Sequence, residues 1–139
     1  MPKRNKKVAV FDVDGTIFRS SLLIELVEAL IEEGLMPEGA RNEYRKEYLV
    51  WKDRRGSYEN YIDAVVKSFY KNIKGVYYGD VADMARIVVG EQKDRVYRYP
   101  RNLIKDLKKK NYYLLAISQS PKIILDSFCK KLGFHKVYG

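Results

Sequence analysis

The chain holds one cysteine, one histidine, one tryptophan and four prolines among 139 residues. With Cys129 alone, no intramolecular disulfide is possible, so burial and hydrogen bonding must hold the fold. That thiol use fits a reducing compartment, and a cytoplasmic protein is expected. Cys129 sits in the helical pattern Phe-Cys-Lys-Lys-Leu and reads as a small buried apolar residue, not a reactive thiol. The lone His135 has no companion at metal-ligand spacing, which excludes a His-built zinc site and leaves a structural or exposed role. No apolar run reaches the roughly 18 residues a membrane span needs, so no membrane contact is expected. The run Val8-Ala9-Val10-Phe11 is too short for a secretory signal and meets charge at Asp12. Internal repeats and low-complexity linkers are also missing.

What is present is a globular composition. Apolar residues make up 46% and charged residues 32%, with a net charge of +9. This excludes a disordered chain. Lys3, Arg4, Lys6 and Lys7 form a basic head, and Lys108 to Lys110 form a second run. Such charge can steer an anionic partner, nucleic acid included. Because the basic residues are spread along the chain, a solvated surface is the favoured reading. The twelve tyrosines do not alternate with basic residues as an RNA-binding surface would require.

Residues 7–12 and 112–118 read as buried strands of a parallel sheet, and residues 135–139 as the start of a third strand. Between the first two lie helical patterns. Ser20 and Ser21 can cap a helix that Gly34 stops. Pro37 opens a second, with Tyr44, Tyr48 and Trp51 on one stripe, closed by Gly56. Ser57 opens a third, which ends near Gly75. Asp80 caps a fourth, carrying Val81, Met84, Ile87 and Val88, with Gly90 weakening its end. Pro100 starts a fifth, and Ser120 with Pro121 a sixth that Gly133 ends. The expected organisation is a core of residues 1–18 and 99–139 interrupted by a helical insert of residues 19–98.

The chemistry concentrates where the strands end. Asp12 and Asp14 close the first strand, at the edge where open α/β sheets bind ligands. Period-two geometry would put both carboxylates on one side. Gly15 permits an unusual turn after them, and Thr16 can tie it down. One carboxylate can attack phosphorus; the other can protonate the leaving oxygen and then activate water. Two anions facing a phosphate dianion need a hard cation, and Mg2+ suits. Ile17 and Phe18 refuse the acidic pattern of a calcium loop. Ser118 ends the second strand before a helix start. Its hydroxyl, with the backbone amides of Gln119 and Ser120, can take a phosphate oxygen. Arg45, Arg54 and Arg55 could meet a substrate anion, although such arginines are usually surface residues.

The segment VAVFDVDGT resembles the first signature of the haloacid dehalogenase (HAD) superfamily, and LLAISQSP resembles its second. The SxSP form, the helical insert and the LGFHKVYG ending are similar to the phosphoserine-phosphatase-like branch. This likeness implies an α/β fold: a Rossmann-like parallel sheet, of which about three core strands are present, with an inserted helical cap. It implies a Mg2+-dependent phosphohydrolase acting on a small phosphomonoester. Asp12 would be nucleophile and metal ligand. Asp14 would be general acid/base and lend the metal its carbonyl. Ser118 would hold the phosphoryl group, with Gln119, Gly15 and Thr16 in the phosphate loop, and the insert would close over the substrate.

The family's later lysine and acidic signatures do not occur in this sequence, and Lys130 and Lys131 follow Ser118 too soon to replace the lysine. The chain therefore reads as an N-terminal part with weak metal affinity and little activity of its own. The open edge of the first strand is expected to be covered by self-association, a partner or a missing C-terminal segment. The competing reading is an inactive binding module for an anionic partner such as nucleic acid.

Overall fold

A computed structural model of the protein describes residues 5–139; Lys3 and Arg4 of the basic head lie outside the described residues. The chain divides into two compact units, one of residues 5–22 and 89–139, the other of residues 23–88.

The first unit is built on a three-stranded parallel sheet in the order β1-β2-β3, with β1 Val8–Asp12, β2 Tyr113–Ile117 and β3 Lys136–Tyr138. In register, Asp12 lies opposite Ile117 and Ile117 opposite Tyr138. Helix α5 (Arg98–Lys109) packs on β2, and α6 (Lys122–Leu132) packs on β3. Alternation along the strands decides which face meets the helices. Leu114 and Ala116 are fully buried, while Ala9 and Phe11 beside them are half-buried. The opposite face stays open. Val8, Val10 and Ile117 are 53%, 59% and 49% exposed. The expectation of strands buried on both faces is thus corrected: the apolar runs contain one packed face and one open face.

Gly133 takes the left-handed conformation at φ 83° and ends α6. Its N–H and that of Phe134 both return to the Cys129 carbonyl, which closes the helix before β3. His135 is structural: its Nδ1 accepts the Leu114 N–H at 3.0 Å and its ring stacks on Tyr113. Helix α5 starts at Arg98 rather than Pro100, which sits in its first turn, where a missing N–H costs nothing.

The second unit is helical. It takes in most of α1 (Leu22–Glu32) and α4 (Tyr78–Gln92), and all of α2 (Arg45–Lys52) and α3 (Tyr58–Asn72). The stretch expected as one helix from Pro37 to Gly56 is two pieces: a 3-10 segment, Glu38–Glu43, and then α2. The break falls at Tyr44, at φ −124° and ψ 1°. Its phenol is buried and donates to Glu28, so a tertiary bond overrides helical continuity. Ser57 caps α3 as expected, accepting the Asn60 N–H. Helix α4 begins before Asp80, which lies inside its first turn, and continues past Gly90. Ile87 on that helix is 50% exposed, contrary to its inward assignment; Val81, Ala85 and Val88 carry the buried stripe. Tyr44, Tyr48, Trp51 and Tyr58 gather around Tyr61, with Trp51 stacked on it at 5.4 Å. Among the described residues no helix is long and apolar enough to cross a membrane.

Candidate functional site

The site grows from the C-terminal ends of β1 and β2. Strand β1 stops at Asp12, two residues short of Asp14, and hydrogen bonds hold both carboxylates beyond it. Val13 is fully buried, and its carbonyl accepts the N–H groups of Thr16, Ile17 and Phe18. Gly15, at φ 74°, makes that tight loop possible, and its N–H returns to the carbonyls of Phe18 and Ser20.

Asp12 ends the strand exposed to solvent. Its Oδ2 accepts the Thr16 hydroxyl at 2.8 Å, which leaves Oδ1 without a hydrogen-bond partner among the described residues. Asp14 is half-buried and fully engaged. Its Oδ2 accepts the Ser118 hydroxyl, and its Oδ1 accepts the Ser120 hydroxyl at 2.9 Å and the Leu22 N–H at 2.8 Å. Asp14 thus takes the first N–H of α1, that of Leu22, in addition to the two serine hydroxyls. The structure brings Asp14 and Ser118 into direct contact from positions 104 residues apart.

Ser118 follows β2 and is buried; its N–H is held by the Tyr138 carbonyl at 2.9 Å. The Ser118 hydroxyl also accepts the Ser120 N–H at 2.9 Å. The Ser120 amide, expected as a phosphate ligand, is thus already taken. The Gln119 N–H has no acceptor among the described residues, and the Gln119 side chain is exposed. Ser120 was read as a helix cap and for its backbone amide, yet its hydroxyl is a direct partner of Asp14.

Arg45, Arg54 and Arg55 are exposed in the helical unit, and Arg55 pairs with Asp53. Lys130 and Lys131 lie exposed in the last turn of α6. Cys129 is fully buried, and burial, with Asp14 as a lesser cause, pushes its thiol up to about 12. It stays protonated and unreactive.

Among the described residues no three His, Cys, Asp or Glu side chains gather to hold a metal. Two groups of the type a hard cation takes stand at this strand end: the Asp12 carboxylate, and the Asp14 carbonyl, which accepts no hydrogen bond among the described residues. Mg2+ commonly takes one or two protein oxygens and completes its shell with water and substrate phosphate.

A family model described as haloacid dehalogenase-like hydrolase matches residues 9–139. The chain belongs to that family of hydrolases. Its fold also matches a protein of unknown function from Bordetella pertussis Tohama I, at TM-score 0.67 and 10% identity, over 95% of this chain and 59% of that one. A phosphoserine phosphatase in a phospho-aspartyl intermediate analogue state aligns at TM-score 0.49 and 18% identity, over 95% and 55%. A magnesium-bound HAD-hydrolase from Bacillus subtilis aligns at TM-score 0.44 and 14% identity, over 95% and 64%. The chain thus spans about 55–64% of the length of these structures. No curated protein sequence matches it.

Proposed function

We propose that the chain carries the nucleophile half of a Mg2+-dependent phosphohydrolase that cleaves a small phosphomonoester through an aspartyl-phosphate. The observation that carries this reading is the division of labour between the two aspartates. Asp12 keeps one carboxylate oxygen free of hydrogen bonds among the described residues, while Asp14 is tied to both serines beyond β2.

In this mechanism Oδ1 of Asp12 attacks phosphorus. The bond to the leaving oxygen breaks, and that oxygen takes a proton from Asp14. Water then attacks the aspartyl-phosphate, giving its proton back to Asp14 and releasing phosphate and the Asp12 carboxylate. Thr16 orients Asp12 through the bond to Oδ2, which keeps the other oxygen free for attack. Ser118 has a single hydroxyl proton, now given to Asp14. An arriving phosphoryl oxygen competes for that proton, and its success releases one oxygen of Asp14 for proton transfer. Mg2+, held by the Asp12 carboxylate and the Asp14 carbonyl, would supply the positive charge that lets an anionic nucleophile approach an anionic phosphate.

The test is phosphate release from a panel of small phosphomonoesters with and without Mg2+. Weak Mg2+-dependent release by the wild-type chain, abolished in Asp12→Asn, is expected. Release that persists unchanged in Asp12→Asn contradicts the assignment.

A further inference from the structure

A second polar feature lies in the sheet unit, apart from the two aspartates and the serines. Arg19, Val96, Tyr97, Arg98 and Arg101 line a half-open hollow of about 330 Å³. No carboxylate is among its lining residues. Arg19, Arg98 and Arg101 form no ion pair among the described residues. Arg41, by comparison, meets Glu28, Glu32 and Glu38, Arg55 meets Asp53 and Arg86 meets Asp83, while Arg45 and Arg54 also lack an ion pair among the described residues but do not line the hollow.

The hollow is built on paired backbone. Phe18 and Val96 form an antiparallel bridge, the Arg19 N–H donates to the Arg95 carbonyl at 2.8 Å, and the Tyr97 N–H donates to the Ile17 carbonyl at 2.9 Å. This ladder puts Arg19 opposite Arg95 and diagonal to Tyr97, and the Arg19 guanidinium lies over the Tyr97 ring, 5.3 Å from its centroid. Arg98 and Arg101 come from the first turn of α5, three residues apart and hence on one helix face. That turn carries no acidic residue, and Tyr97 gives it no side-chain cap. Three positive groups gathered without a counter-charge repel one another, and an anion removes that cost. The volume falls within the small-ligand range and exceeds what one phosphate fills. Guanidinium forks match phosphate oxygens two at a time.

We infer that this hollow is a binding site for a small polyphosphate anion, a diphosphate or triphosphate group, separate from the Asp12 centre. A nucleoside diphosphate and inorganic pyrophosphate share the chemistry, and the hollow reads the phosphates. Occupancy would tie residues 17–19 to the start of α5.

Calorimetric titration of the whole chain with inorganic pyrophosphate, tripolyphosphate and ADP tests this. The buffer holds chelator and no divalent metal, so the repulsive Asp12 carboxylate has no cation to bridge it to the anion. The expected result is saturable one-to-one binding that weakens tenfold or more in Arg98→Ala and in Arg101→Ala, with Arg101→Lys only partly restoring it. Asp12→Asn and Arg86→Ala should bind as the wild type does. ADP binding more tightly than pyrophosphate would place a nucleoside beside the phosphates; equal affinities would assign the site to the phosphates alone. All the substituted arginines are exposed, so folding should survive, and circular dichroism checks it. Binding unchanged by Arg98→Ala and Arg101→Ala overturns the inference. So does binding seen only with oligonucleotides and growing with their length.

Discussion

Both units of the molecule contain polar networks around a carboxylate, and they differ in what they leave open. In the helical unit, Glu28 accepts Arg41 Nε at 2.8 Å and the Tyr44 hydroxyl, so both of its oxygens are spent inside the unit. Burial, followed by the hydrogen bond to Glu28, drives the Tyr44 phenol far above its ordinary range, so it remains a donor at any working pH. Ser68 likewise gives its hydroxyl to the Ala40 carbonyl. In the sheet unit, Asp14 closes a comparable network, but the neighbouring Asp12 keeps an oxygen free at the end of β1. A closed network holds a fold; one with a reactive group left over at a strand end can do chemistry. The distinction lies in the spare acceptor rather than in the number of charges.

Substitutions can break this comparison. The largest effect is expected at Asp12. Asp12→Asn should reduce phosphate release by roughly a thousandfold or more while leaving thermal stability nearly unchanged, since the side chain is exposed. Asp14→Ala should do the reverse in stability. Three donors lose their acceptor, two of them buried serine hydroxyls, and chemical denaturation should show a loss of about 3 kcal/mol. If Asp14→Ala is as stable as Asp12→Asn, the contrast between the two aspartates collapses. In the helical unit, Glu28→Gln should cost about 1 kcal/mol by the same measurement, because solvent reaches the Arg41 pair, and should leave phosphate release intact.

The smallest effect concerns Glu43. The hydrogen bond from Lys71, at 2.9 Å, holds this carboxyl below its usual value, with Asn72 adding to the effect. A lowered carboxyl stabilises the fold above its unfolded value, roughly 4.3, and that contribution disappears as pH falls through the lower, folded value. Glu43→Gln should therefore cost about 0.5 kcal/mol at neutral pH. Its unfolding curve should approach that of the wild type as pH falls through the lowered, folded value.

The sequence was readable where local chemistry and tertiary structure agree. Val-Ala-Val-Phe-Asp before Gly15, Ser57 ahead of α3, and Gly133 behind α6 each meet a local rule, and the structure follows them. The reading slipped where distant partners decide. Tyr44 breaks a helical stripe because Glu28, 16 residues earlier, takes its hydroxyl. Asp14, eight residues ahead of Leu22, takes the first N–H of that helix, a contact that no local rule announces. Ser120 reaches back 106 residues to Asp14, and a cap signal concealed that contact. The exposed face of β1 could not be read from Val8 and Val10, because an apolar run does not say how many of its faces are covered.

The central claim is that phosphorus becomes bonded to Asp12. Reacting the chain with a small acyl phosphate and Mg2+, quenching with borohydride and mapping peptides by mass spectrometry would locate the group, since reduction of an aspartyl-phosphate leaves homoserine. The account predicts homoserine at position 12 and nowhere else, absent from Asp12→Asn. Homoserine at position 14, or the same yield with Asp12 replaced, would contradict it.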